Sequence, residues 1–317
     1  MAQVILDVLT PVRWEPWNQY NDHRACPSPR AAYLVDVDVV LGQRRWPVDP
    51  LRRATVGPDA PSLDGPVRLE FVRRPDRLSS GYGEFVHALI ELEVGHIAAA
   101  LVEHAERRGL RAIADPGGVW LHPSEPRTPG PTPPRSSGLG PRGLTADPRP
   151  LPRQALLALV QAARSRYPLA HPGLTHWLAV HNVTGGQDGW YTVDPFVLRR
   201  SGAAMETVQR HHGHPRSVID VASMNLALIT TADVPAAVRA GGSEAYPALL
   251  RAAGSLAQHV CTASAAVNMF CRPLRSFDDT ALEAAIGVPS SHSLLYALLA
   301  GRSRVSGFSY DLTPLEP

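Results

Sequence analysis

The chain has 317 residues, 44% of them apolar and 19% charged, which is a globular composition. A formal net charge of +2 argues against non-specific nucleic-acid binding as the main function. All 31 basic residues are arginine, so Schiff-base chemistry and a lysine general base are excluded, while forks suited to phosphate or carboxylate are abundant.

Residues 1–30 are rich in Trp, Pro, Asn and Asp and show little periodicity. Alternating β-branched and acidic residues predict a strand over 31–41. A return strand follows over 46–50, and a weaker one over 67–72. Apolar residues at helical spacing predict a helix over 84–108, which Gly109 stops. Proline and glycine then recur through 115–150, which reads as a linker. A helix begins at 156, with strands over 177–183, 190–195 and 226–231. A long helix spans 246–267, a bend falls at Pro273, and a short helix follows over 279–286. An apolar strand over 294–299 runs into a basic end, Gly301-Arg302-Ser303-Arg304. Residues 305–317 read as extended. Cys26, Cys261 and Cys271 form no C-x-x-C and imply no disulfide framework. There is no signal-like start and no apolar run of the ~18 residues that a membrane span needs. A soluble, cytoplasmic protein without membrane partners is expected.

The two halves repeat each other. A Trp-(x)-Val-Asp-Pro pattern after a glycine turn occurs at Trp46 to Pro50 and at Trp190 to Pro195. The helix with Gly95 and Ala98 corresponds to the helix with Gly254 and Ala257. One supersecondary unit used twice predicts two lobes about a pseudo-twofold axis, as in a homodimer. Expected divisions are 1–114 for the first lobe, 115–150 for the linker and 151–317 for the second lobe.

The motif order resembles the nitroreductase-like flavoproteins, and within them the SagB/McbC-type azoline dehydrogenases of thiazole- and oxazole-containing peptide biosynthesis. Arg135-Ser136-Ser137, with Arg142 in support, is similar to that family's phosphate-gripping Arg-Arg-Ser element. The segment Arg24-Ala25-Cys26-Pro27-Ser28-Pro29-Arg30 looks like its ring-touching Pro-Ser segment. Gly81-Tyr82-Gly83-Glu84, followed by Glu93-Val94-Gly95-His96, keeps its helix-entry spacing, with Gly81 where lysine is usual. Gln258 lies where the second-lobe helix would face the flavin. Pro273-Leu274-Arg275 resembles the bend beside it, and Arg302 with Arg304 resembles the basic end of the phosphate site.

The resemblance implies an α+β fold of tandem lobes, each an antiparallel sheet packed by helices. It implies FMN as cofactor and dehydrogenation of azolines to azoles in a precursor peptide. The cyclodehydratase of the same pathway is the implied protein partner, and a further homodimer of the chain is left open. Catalytic candidates are Tyr82 and His96. Cofactor candidates are Arg24, Pro27, Ser28, Arg30, Arg135, Ser136, Ser137, Arg142, Gln258, Pro273, Leu274, Arg275, Arg302 and Arg304. No metal is implied, since His211, His212 and His214 lack a matching ligand pattern. Two alternatives stand beside this reading. One is an NAD(P)H-dependent nitro or quinone reductase, and the other is a non-catalytic partner that binds a peptide or enzyme.

Overall fold

The computed structural model describes residues 1–20, 22–125, 134–304 and 309–312. Its first lobe opens with α1 (Ala2–Leu9), β1 (Arg13–Trp14) and β2 (Asp22–His23). Next come β3 (Val35–Leu41), β4 (Arg44–Asp49), β5 (Ala54–Thr55) and β6 (Val67–Arg73). The short α2 (Ser79–Tyr82), the long α3 (Phe85–Arg107), β7 (Arg111–Asp115) and β8 (Gly118–His122) complete the lobe. Val67, Leu69 and Phe71 alternate inward on β6, as a strand with one buried face requires.

The second lobe begins with α4 (Arg153–Arg164), β9 (Leu174–Val180), β10 (Gly189–Thr192) and β11 (Val197–Ser201). It continues with α5 (Ala204–Arg210), β12 (Leu226–Ala232), α6 (Val234–Gly241) and α7 (Ala245–Ala266). It ends with β13 (Met269–Leu274), α8 (Asp279–Ile286), β14 (Ser293–Arg302) and β15 (Tyr310–Asp311). All seven residues of β12 are buried, the burial of a central strand covered on both faces. Asp233 and Asp278 cap α6 and α8, their carboxylates accepting from the N–H of Ala236 and Ala281.

The repeat is visible in the strand orders. One six-stranded sheet runs β5-β4-β3-β6-β8-β7, and the other runs β11-β10-β9-β12-β14-β13. Every pairing in both is antiparallel. Each element of one lobe's sheet therefore has a counterpart in the other, and α3 and α7 occupy equivalent places.

Those two helices cross at their glycines. A Cβ on Gly95 would meet the carbonyl oxygen of Arg251 and come within 2.7 Å of the Ser255 nitrogen. A Cβ on Gly254 would meet the carbonyl oxygen of Leu92 and come within 2.8 Å of its carbon. Leu92 and Arg251 stand at the same offset before their glycines, so the contact is reciprocal about the pseudo-twofold. By length and composition α3 could cross a membrane, but most of that stretch is buried inside the fold. This is the composition of a core helix enclosed on all sides.

Several expectations need correction. The supposed linker from 115 onward begins with a strand, because Val119 and Leu121 of β8 pair with β6 and are fully buried. Residues 2–9, without a predicted element, form α1 and bury Val4, Ile5, Val8 and Leu9 on one face. No bend falls at Pro273. It lies within β13 opposite Leu298, an edge position where a missing N–H is tolerated. The basic end is not a separate tail either, since Gly301 and Arg302 continue β14. Of the stretch expected to be extended, 305–308 and 313–317 lie outside the described residues. Tyr310–Asp311 pairs with β1, and Tyr310 stacks on Trp14 at 5.7 Å.

Candidate functional site

Three arginines at the lobe junction form no direct ion pair among the described residues. Arg135 precedes the second lobe, in a stretch held to β13 by the Cys271 N–H donating to the Ser136 carbonyl at 2.9 Å. Its Nε and Nη1 are buried and meet no acceptor. Arg13 of β1 donates to the Arg135 carbonyl at 3.2 Å, which ties the first lobe to this segment. Arg272 projects from β13, and its Nε is likewise buried and unpartnered. Burial, with the charge of Arg135 beside it, pushes its pKa down. The guanidinium carbon of Arg24 sits 3.5 Å from the centre of the Tyr33 ring, and its Nε is also an orphan. Burial lowers this pKa too. A desolvated cation whose donors go unmet costs on the order of several kcal/mol unless an anion completes it.

Around them runs a buried polar relay between the two central helices. The Tyr296 hydroxyl lies 3.1 Å from His96 Nε2, and His96 Nδ1 lies 3.2 Å from Gln258 Oε1. The Gln258 amide donates to the Ala25 carbonyl at 3.3 Å. Because Oε1 can only accept, Nδ1 carries the imidazole proton and Nε2 accepts from the tyrosine. Burial pushes the His96 pKa down to about 3. His96, a catalytic candidate from the sequence, is buried and engaged at both nitrogens. Ser28, expected to touch the ring, is half-buried and hydrogen-bonded on both sides. Its hydroxyl donates to Glu93 at 2.7 Å and accepts from the Tyr33 N–H at 2.8 Å. Burial pushes Glu93 up to about 7.

The remaining candidates divide. Pro27 is half-buried between Cys26 and Ser28. Ser136 and Ser137 are half-buried beside Arg135, and the Ser136 hydroxyl accepts from Gly138 N–H at 3.1 Å. Tyr82 is half-buried, with exposed Arg30 5.2 Å from its ring centre. Pro273 and Leu274 are half-buried on the edge strand. Arg275 donates to the Leu294 carbonyl at 2.7 Å, pairs with Asp279 at 3.0 Å and lies 5.6 Å from the Phe85 ring. That guanidinium is already committed.

Arg302, Arg304 and Arg142 do not join the trio as expected. Arg302 donates to the Pro150 carbonyl at 3.0 Å, because the strand carries it to the 147–150 turn. Arg304 is exposed beyond β14, and Arg142 is exposed at the tip of a turn closed by Gly140 and Gly143. Arg272 lies beside Arg135 instead, though nothing in Phe270-Cys271-Arg272-Pro273 marks it in sequence. The histidine cluster is also accounted for: His212 is buried against Phe277, with Nε2 3.1 Å from the Ser276 hydroxyl. An apolar cavity lined by Leu159, Leu178, Leu228, Val260 and Leu298 lies inside the second-lobe core. It holds no polar group and is not the site.

Two helix-packed antiparallel sheets of identical strand order, joined across α3 and α7, define an α+β nitroreductase-like fold. A solved Anabaena variabilis protein, provisionally named a nitroreductase, superposes with a TM-score of 0.76. It is 15% identical, and the match covers 96% of this chain and 87% of that one, so it runs through both lobes. The NADPH:FMN oxidoreductase of Vibrio harveyi gives a TM-score of 0.39 at 11% identity, over 58% of this chain and 70% of that one. The E. coli microcin synthetase complex gives 0.41 at 12% identity, over 49% and 65%. Both fit too loosely to bear on function. No protein-family model and no curated protein matches the chain.

Proposed function

We propose that the chain is an FMN-dependent oxidoreductase that dehydrogenates azolines to azoles in a ribosomally made precursor peptide. The observation that carries the cofactor half is the trio Arg24, Arg135 and Arg272, buried with orphaned N–H groups. A phosphate is an acceptor-only dianion and supplies what these donors lack. The fit extends to Ser136: its hydroxyl oxygen accepts from Gly138, which leaves its own proton free for a phosphate oxygen. Arg24 belongs to the first lobe and the other two to the second lobe's edge, so both lobes are needed for one site.

Bound FMN would supply the two-electron acceptor. The chain's residues hold and orient. The Tyr296–His96–Gln258 relay fixes Ala25, and through it the 24–28 segment, against the central helices. Glu93 locks Ser28 in the same segment. His96 is buried away from any substrate, so Tyr82 keeps the proton-transfer role in this reading. The azoline substrate and its peptide rest on the ordered likeness of motifs from Arg24 to Arg304.

The test is the absorbance of the purified protein over roughly 350 to 500 nm, where flavins absorb. A yellow protein that converts an azoline peptide to the azole supports both halves. A colourless protein that takes up no added FMN refutes the cofactor. Rapid bleaching by NAD(P)H with no azoline turnover would make it a reductase instead.

A further inference from the structure

The pseudo-twofold axis gives the flavin region a counterpart on the opposite side of the α3–α7 crossing. Cys26 and Ser165 stand the same number of residues before the corresponding strands β3 and β9. The pattern continues at Arg30 and Leu169, which share a positive φ of 51° and 57°. Cys26 reaches the carbonyl of His96 on α3, and Ser255 at the matching position of α7 donates to the Pro168 carbonyl. Among the described residues no arginine trio is found at this counterpart. Ile113, exposed on β7, stands where β13 carries Arg272.

Something else is assembled there. Ser165 Oγ lies 3.0 Å from His259 Nε2, and His259 Nδ1 lies 2.7 Å from Glu103 Oε1. The Thr262 hydroxyl donates to the other Glu103 oxygen at 2.9 Å. The residues come from three helices: Glu103 from α3, His259 and Thr262 from α7, and Ser165 from the end of α4. Glu103 is the more sheltered side chain, 14% exposed against 29% for His259. A hydroxyl on one imidazole nitrogen and a carboxylate on the other is the arrangement that makes serine a nucleophile. We propose that Ser165, His259 and Glu103 form a second reactive site, which cleaves a carboxylic ester or thioester by acyl transfer.

Ser165 Oγ attacks the acyl carbon as its proton passes to His259 Nε2, and a C–O bond forms. The imidazolium, held by Glu103, protonates the departing alkoxide or thiolate as its bond to carbon breaks. Water then attacks the acyl-serine, giving one proton to Nε2, and the carboxylic acid leaves as that proton returns to Oγ. No oxidant or cofactor enters. The Ser165 hydroxyl also lies 2.8 Å from the Ala162 carbonyl, so the base function requires its proton to turn from that carbonyl to Nε2. The amides of Arg166 and Tyr167 directly follow the nucleophile and donate to no backbone carbonyl among the described residues. They are the donors available to a developing oxyanion.

The test treats the full-length protein with a biotinylated fluorophosphonate and maps the adduct by mass spectrometry. The expected result is an adduct on Ser165, absent in Ser165→Ala. It should form at least about 10²-fold more slowly in His259→Gln, the usual loss when a general base is removed. Wild-type protein without an adduct on Ser165 overturns the proposal without recourse to any variant. An equal labelling rate in a folded His259→Gln overturns it as well, since a purely structural bond network would not move that rate. Flavin content is read in parallel and does not enter either outcome.

Discussion

Replacing Gly95 by alanine sets two effects against each other. In an isolated helix the change favours the folded state by about 1 kcal/mol, because glycine is the poorer helix former. At this crossing the new methyl would overlap the Arg251 carbonyl oxygen and press within 2.7 Å of the Ser255 nitrogen. Both obstacles are backbone atoms of a buried helix and cannot swing aside as a side chain would. Overpacking of this kind costs about 3 kcal/mol at the upper end of its usual range. The net loss is about 2 kcal/mol or more. At an unfolding entropy of about 2.1 cal/mol/K per residue, that lowers Tm by roughly 3–5 °C. Thermal unfolding followed by circular dichroism at 222 nm reads the difference. Gly254→Ala should behave alike, since its methyl would meet Leu92. A Gly95→Ala protein that melts at or above the parent would mean that propensity governs the site and that the helices do not touch as described.

Arg272→Met should cut FMN retention at least tenfold yet leave the cofactor-free protein as stable as the parent or more so, because an unpaired buried cation is removed; equilibrium dialysis and urea unfolding of stripped protein read the two effects. The double variant Arg302→Ala, Arg304→Ala should retain its flavin, and a colourless product would return the phosphate grip to the end of β14. Burial holds Glu93 protonated up to about 7, above its unfolded value of 4.5. The folded chain thus keeps a proton that the unfolded chain has released, and stability falls as pH rises through that window, by on the order of 3 kcal/mol. Glu93→Gln should abolish this decline, and urea midpoints at pH 5 and pH 8 that fall equally in both proteins would remove Glu93 as its source. Tyr296→Phe leaves His96 Nε2 buried without a donor and should cost about 1–3 kcal/mol in denaturant unfolding, whereas an unchanged midpoint would show that the relay contributes nothing.

The parts of the fold legible in sequence were those whose burial leaves a period. β6 alternates, α3 and α7 carry apolar residues at helical spacing, and α8 matched to the residue. Gly95 and Gly254 stood out in sequence as counterparts in the repeat, though not as the point where the two helices cross. Short elements were lost for lack of a period: β8 is five residues beside a proline-rich stretch, and α1 has too few turns to stand out against Trp- and Pro-rich flanks. Of the proposed site, Arg24 and Arg135 were picked out in sequence because each lies in a motif. Arg272 was not, since an arginine before a proline on an apolar strand reads as an edge residue. Its meaning depends on what the 135–140 segment brings beside it, a contact made across the chain. Arg302 and Arg304 are close in sequence but part in the structure: Arg302 ends β14 and turns to the Pro150 carbonyl, whereas Arg304 lies beyond the strand and is exposed.

The reciprocal packing of Gly95 and Gly254 has a consequence for how such a molecule can change. In a symmetric homodimer any substitution arrives twice, once on each side of the axis, and both copies must tolerate it. Fusion of the halves into one polypeptide removes that obligation. Position 272 can be arginine while its counterpart 113 is isoleucine, and Cys26 can face Ser165 across the molecule. Only residues on the axis itself remain bound to one another, because each glycine makes room for the other's helix. The crossing is thus where the two halves still constrain each other, while the two sides are free to differ.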